Sequence, residues 1–561
     1  MGLLQVDARS VRTDFDGRTE GRFASKYHAV EGCDCVVHCY RGCQGRKRTH
    51  RRCFDTVPEV CILLALFNFS DKFYPTVFDE AGHRVATQYI LAALDGSLPA
   101  KHLFHYREAN SKLPGHPELG LTPGVKFSSG RLGHMWYVPI RCIRVGQDRI
   151  LLGIGRSQQE GNDAEAARLA VAQKLNVKLL IDDNDVTIAG HPSEYLKGYD
   201  VSKTLAGHGL KVVTVEGEDI DSLWGVSLKY STMRPAAGIA DIQGSSHGHD
   251  VIPVKSAISY LASRGYPDSM AGGILNNIKA TPSPIIYTGS TKEVGANRVV
   301  FGEAVNLVLD KLGKEEAAKK VMVIDTDLEV IHQKHPEVFV PSGIMERGNF
   351  SAAAGFGFDA DKFGVFSTFS AFLEMVISEV TMARLNNCNV LSHFSHSGGK
   401  SMFLVCSIRG DAHCHLQLMS CHFGINSFFA DNGLSDVQSW LYFPADASQM
   451  IAVIQRVFFE RGIRFVFSTR SKVPWILKED GTRFFEGNYQ FVPGKDEVIA
   501  EGTAGYVVSF GEMLYRSWDA VLRCRKEGLD VGLINKPTLN IVDEEVRRTF
   551  PTRATCRSRS H

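Results

Sequence analysis

Apolar and polar positions follow two regimes along this chain. Residues 1–60 are dominated by Arg, Gly and polar residues without sustained apolar periodicity, so no packed domain is expected there. From residue 60 the pattern turns globular. AGHRVATQYILAAL (81–94) places apolar residues at helical spacing. An apolar run at 150–152, a Gly-rich turn, a helical stretch at 162–174 and a second apolar run at 177–181 read as a βαβ unit of a parallel sheet. A further strand is expected at 210–215. The Pro-rich ATPSPIIYTG (280–289) reads as a linker. Beyond it the alternation resumes: helix 299–311, strand 321–325, an extended run 338–340, a small-residue helix near 352–355, and strands 364–369 and 389–394. Strand, helix and strand follow over 441–472, and again over 506–535. The expected fold class is α/β, built of consecutive parallel-sheet domains.

Composition narrows the classes of function. In 561 residues, 44% are hydrophobic and 22% charged, as in an ordinary globular chain. Sixty-three basic against 62 acidic residues leave a formal charge of +1, so no global field recruits nucleic acid or an anionic membrane, and neither partner is expected. No apolar run approaches the ~20 residues of a membrane span, and residues 1–25 are too charged for a signal peptide, so a cytoplasmic location is expected. The 13 cysteines fit reduced thiols. Cys33, Cys35, Cys39, Cys43 and Cys53 lie among His38, His50 and a basic run, where a zinc site competes with a divergent, poorly ordered segment. Cys406, His413, Cys414, His415, Cys421 and His422 are irregularly spaced for the same metal.

The candidate chemistry lies in isolated polar residues among apolar ones. Glu346 follows an extended run and opens a small-residue helix, where a carboxylate is ordinarily a favourable charge at the helix N-terminus. The turn Gly153-Ile154-Gly155-Arg156 opens a helix and would present backbone N–H groups to a phosphate. His83, His116, and His247 with His249 would each, taken alone, be a surface, core or loop histidine.

Together these stretches resemble the transketolase family of thiamine diphosphate enzymes. The resemblance spans about residues 80–545 and rests on Gly343, Ile344, Glu346, Ala353 and Gly355, followed by Phe366, Thr368, Phe369 and Phe372, with Gly-His elements at His83 and His116. It implies that Glu346 holds the aminopyrimidine against a wall of Phe366, Phe369 and Phe372. It also implies that Gly153, Gly155, His83 and His247 contact the diphosphate, that His116, His396 and Arg470 face the substrate, and that the Asn184 side chain and the Val186 carbonyl hold Mg²⁺. Glu346, His116, His247 and His83 are the catalytic residues it implies. The activity implied is transfer of a two-carbon glycolaldehyde unit from a ketose phosphate to an aldose phosphate through the thiamine diphosphate ylid. A homodimer with active sites at the subunit interface is implied as well.

The chain departs from the family in several places. Ile154 stands where the family has its metal-binding Asp, DTDLEVIH (325–332) is short, 399–420 reads as an insertion, and the C-terminal domain is expected to be partial. The expected organisation is a divergent segment 1–60, a diphosphate-binding domain 61–279, a linker 280–297, a pyrimidine-binding domain 298–480 and a partial C-terminal domain 490–561. Two alternatives stay open. One is a related enzyme of the dihydroxyacetone synthase or deoxyxylulose-phosphate synthase type, and the other is a catalytically impaired protein of this fold that acts by binding or dimerising.

Overall fold

The computed structural model describes residues 60, 62–63, 67, 73–94, 96–106, 111–134, 148–154, 157–175, 177–185, 191–216, 222–223, 225, 236–241, 286–325, 330–397 and 439–549. The chain divides into two compact units, one formed mainly by residues 1–283 and the other by 284–341, 346–402 and 423–561. Among the described residues, no helix is long and apolar enough to cross a membrane.

The first unit is a five-stranded parallel sheet. Its elements are β1 (Phe73–Asp79), α1 (Val85–Leu94), β2 (Asp148–Ile154), α2 (Gly161–Ala172), β3 (Val177–Asp182), α3 (Val201–Gly207), β4 (Lys211–Glu216) and β5 (Ala236–Asp241). The strand order is β1-β2-β3-β5-β4. Parallel neighbours need crossovers, and α2 makes the one between β2 and β3, as the βαβ pattern predicts. The alanines of α2 keep its packing face flat: Ala166, Ala167 and Ala170 are buried in the core with Leu151, Leu179 and Ile181. Register places Asp79 opposite Leu152 and Ile154 opposite Asp182. The carboxyl ends of β1, β2 and β3 therefore lie side by side, where open α/β sheets bind ligands.

The second unit contains β6 (Ser290–Gly295), α4 (Asn297–Leu312), β7 (Val321–Asp325), α5 (Glu346–Phe356), β8 (Phe363–Phe369), α6 (Ile377–Leu385), β9 (Val390–Ser395), β10 (Ser439–Tyr442), α7 (Ala447–Val457), β11 (Ile463–Phe467), β12 (Val473–Ile476), β13 (Glu497–Ala500), β14 (Gly505–Ser509), α8 (Leu514–Lys526) and β15 (Val531–Asn535). Strands β10-β11-β9-β8-β7 form a second parallel sheet, and β13-β15-β14 a three-stranded one. Within the span expected to be linker, β6 pairs antiparallel with β12. The extended run at 338–340 contributes a bridge, Val323 to Phe339, rather than a strand.

Each face of the second parallel sheet carries its own core. Phe301, Val305, Met450 and Ile454 of α4 and α7 cover one, while Phe350, Phe366, Phe394 and Phe465 fill the other. Helix α5 sits unusually close to β8 because its contact residues are small. A Cβ added to Gly364 would fall 2.1 Å from the Ala353 carbonyl oxygen. Only glycine permits that approach. Both ends of α7 are tied down: Asp446 accepts the Gln449 N–H at 3.0 Å, and buried Arg464 donates to the Phe458 carbonyl at 2.6 Å and to that of Val457 at 3.3 Å.

Candidate functional site

In the second unit the candidate residues lie at the carboxyl ends of the parallel strands. Glu346 is the first residue of α5 and is 2% exposed, so the acid expected at a helix N-terminus is a buried one. Helix α5 packs on β8 and on the 3₁₀ turn Ser370–Val376 that follows it. The Phe369 ring, half-buried at the end of β8, stacks on Phe372 with centroids 5.9 Å apart and lies 4.2 Å from the His396 ring. Phe366 is fully buried, edge-on to Phe350 and to Phe394. His396 follows β9 directly with φ +59°, a left-handed conformation uncommon for a non-glycine residue, and its Nδ1 is 2.9 Å from the Ser395 hydroxyl.

A buried polar chain crosses the same strand ends. His393 Nδ1 is 3.1 Å from the Ser367 hydroxyl and its Nε2 is 2.9 Å from that of Ser468, while the ring stacks on Phe301 at 4.2 Å. Burial, and after it the nearby Arg298 charge, push this imidazole down to about 3, so it is neutral at physiological pH. A neutral ring has one N–H donor and one acceptor, and two hydroxyls can serve both. Ser468 is also held by its backbone: its N–H donates to the Phe394 carbonyl at 3.2 Å, and its carbonyl accepts the Ser397 N–H at 2.9 Å. Thr469 comes next, its N–H donating to Glu512 at 3.0 Å and its hydroxyl to the other oxygen of the same carboxylate. Burial pushes Glu512 up to about 7, against the lowering effect of the Thr469 bonds. Arg470, partly exposed, follows Thr469.

In the first unit the two Gly-His elements meet. The His83 and His116 rings are 5.9 Å apart, and His116 is 1% exposed. Gly82 makes this possible, because it adopts φ +65° and a Cβ there would fall 2.9 Å from His116 Cδ2. Beside them lies a set of acids. Arg84 donates its N–H to Asp79 at 2.9 Å, pairs with the same carboxylate at 3.1 Å, and donates to the Gly153 carbonyl at 3.1 Å. Ser157 donates to Glu80 at 2.6 Å, and Gln158 to Asp163 at 2.7 Å. A Cβ on Gly153 would lie 3.2 Å from Glu80 Oε2, so this carboxyl sits directly against the end of β2. Burial raises both Asp79 and Glu80, with Arg84 opposing it at Asp79 and contacts to Asp163 and Ser157 opposing it at Glu80. Both carboxyls are thus held above their ordinary range next to the expected diphosphate turn.

The sequence implies two bound groups, and the residues present fit one of them. A buried acid and stacked aromatic rings on elements that pack together are the donor set an aminopyrimidine needs: a hydrogen-bonding carboxyl and flat apolar faces. Glu346, Phe369 and Phe372 fit it. Mg²⁺ takes near-octahedral oxygen ligands. Asn184 turns its amide nitrogen to Asp182 at 3.0 Å, and that Asp lies 3.9 Å from Arg84. Among the described residues, no group of three His, Cys, Asp or Glu side chains is arranged to hold a metal ion. The described residues alone do not complete an oxygen ligand set for Mg²⁺. His247, Gly155, Val186, both cysteine-rich stretches and the insertion 399–420 lie outside the described residues. Glu80 and Glu512 belong to these neighbourhoods without having been singled out in the sequence, whereas Asp163 is a sequence candidate to replace the missing metal-binding Asp. The Asp79-Glu80 pair just before a Gly-His was the available signal for one of them.

Residues 75–136 match the family model described as transketolase, thiamine diphosphate binding domain. Over 190 residues the chain is 31% identical to one of the subunits of apulose-4-phosphate transketolase from Actinobacillus succinogenes, covering 31% of this chain and 68% of that protein. It is 24% identical over 507 residues to transketolase-like protein 2 of Mus musculus, covering 82% of this chain and 75% of the relative. Among solved structures, transketolase from Campylobacter jejuni aligns at 17% identity with a TM-score of 0.38, over 93% of this chain and 90% of the other.

Proposed function

This chain belongs to the transketolase family, and we propose that it transfers a two-carbon glycolaldehyde unit from a ketose phosphate to an aldose phosphate with thiamine diphosphate as cofactor. The observation that carries this reading is Glu346, an acid 2% exposed at the first turn of α5, on an element packed against the strand and turn that bear Phe369 and Phe372. When bound, thiamine diphosphate supplies a carbon nucleophile and electron sink for the two-carbon unit. Glu346 would hydrogen-bond a pyrimidine ring nitrogen, where poor hydration makes a carboxyl a better proton partner. Phe369 and Phe372 would exclude water from that contact. His83 and His116, brought within ring contact of each other, would handle hydroxyl protons of the sugars. Arg470 would clamp the sugar phosphate through its planar donor fork, and His396 would share the role of substrate contact. A homodimer with sites formed at the subunit interface is part of the proposal. Mg²⁺ enters only as a companion of the diphosphate, since the described residues do not complete its oxygen cage, and none of these roles depends on it.

The second reading, a catalytically impaired member of the family, draws on the acids around Gly153. Glu80 against that glycine would repel a diphosphate unless its carboxyl is protonated. One assay separates the two readings. The purified chain is supplied with thiamine diphosphate and Mg²⁺ and tested with xylulose 5-phosphate and ribose 5-phosphate. Product formation that Glu346→Ala lowers at least ~100-fold supports the enzyme. Cofactor binding without product supports the impaired form.

A further inference from the structure

We propose that Glu512 is a positioning residue for Arg470, fixing the turn from which that arginine reaches a substrate phosphate. The inference rests on the reading of Arg470 given above. Glu512 comes from the connection between β14 and α8, outside the five-stranded sheet, and is 5% exposed. Its two carboxylate oxygens both reach the residue before Arg470: one accepts the Thr469 N–H at 3.0 Å, the other the Thr469 hydroxyl, and the Asn297 side chain bonds the same carboxyl. A hydroxyl has one proton and two lone pairs. Because Glu512 takes the proton, the lone pairs are left for a donor, and the Ser471 N–H donates to the Thr469 hydroxyl at 3.2 Å. Residues 469 and 471, on either side of Arg470, are thus locked to one another through a hydroxyl whose direction Glu512 sets. On the upstream side, Ser468 is tied to β9 by a backbone bond to Phe394 and by His393, and to Ser397 just beyond that strand by a second backbone bond. The short turn can therefore give the arginine a single direction, which a bidentate clamp on phosphate requires.

The test uses the full chain with thiamine diphosphate and Mg²⁺ present. Xylulose 5-phosphate is compared with xylulose as donor, and direct binding of xylulose 5-phosphate is followed by calorimetry. Glu512→Ala is expected to raise KM and Kd for the phosphorylated donor about tenfold, to leave kcat within about twofold, and to leave KM for xylulose unchanged. Thr469→Val, which keeps the backbone bond, should move the same two constants about threefold. Glu512→Gln, with the same shape and one acceptor oxygen, should recover most of the loss. If Arg470→Ala abolishes the preference for the phosphorylated donor while Glu512→Ala and Thr469→Val leave it intact, the positioning role is wrong and the reading of Arg470 stands. If Arg470→Ala leaves the preference intact, both fall. Should Glu512→Ala fail to fold, Thr469→Val decides, and a uniform drop in kcat for both donors would overturn the proposal.

Discussion

Glu346 and Glu512 are both buried acids at the start of helical segments, and they are assigned different tasks. The hydrogen bonds of Glu512 are spent inside the protein, on the N–H and hydroxyl of Thr469 and on the Asn297 side chain. Its carboxyl therefore belongs to stability and geometry. Its folded value of about 7 lies above the ordinary 4.5. A raised value means that the contribution is full below 4.5 and is lost as pH rises through about 7. We expect unfolding free energy to fall across that window by up to about 3 kcal/mol on account of this group, and Glu512→Gln to flatten the slope. Urea titrations at pH 5, 6, 7 and 8 check it. Glu346 is assigned to a ligand, and replacing a buried carboxyl that serves a ligand relieves a desolvation cost. Glu346→Ala should accordingly remove activity without lowering the melting temperature of the cofactor-free protein. A melting temperature several degrees lower would make Glu346 a structural residue.

At the scale of elements, two contacts carry specific costs. Arg464 lies in β11 and caps α7 across the sheet face, fully buried, with burial pushing it down to about 9. Arg464→Met leaves the Val457 and Phe458 carbonyls without this donor, and a loss of about 2–4 kcal/mol is expected from the urea midpoint. Gly364→Ala drives a methyl to 2.1 Å from the Ala353 carbonyl, which forces α5 off β8. Because α5 begins at Glu346, this change should weaken thiamine diphosphate binding as well as stability. Calorimetry on a variant that still folds checks the coupling. The elements themselves were legible in the sequence, since apolar runs at 177–181, 321–325 and 364–369 became β3, β7 and β8 within a residue or so. Strand order was not: β5 lies between β3 and β4, and no periodicity encodes which parallel neighbour a strand takes.

For the whole molecule, the legible part of the site was what short motifs can carry, a Glu between small residues and aromatics, and a Gly-His repeated. The hidden part came from pairs far apart in the chain. Ser157 and Glu80 are 77 residues apart, Thr469 and Glu512 43, and only folding brings them together. Buried acids such as Asp79 and Glu80 also read as solvated charges until a sheet closes over them, because their burial is set by neighbours the local pattern does not name. Whether the family's cofactor is used and Glu346 holds it is tested most directly by titrating the intact protein with thiamine diphosphate in the presence of Mg²⁺ by calorimetry, wild type beside Glu346→Ala. Saturable binding by the wild type and binding at least about tenfold weaker in the variant are expected. Equal binding by both proteins, or none by the wild type, would contradict this reading.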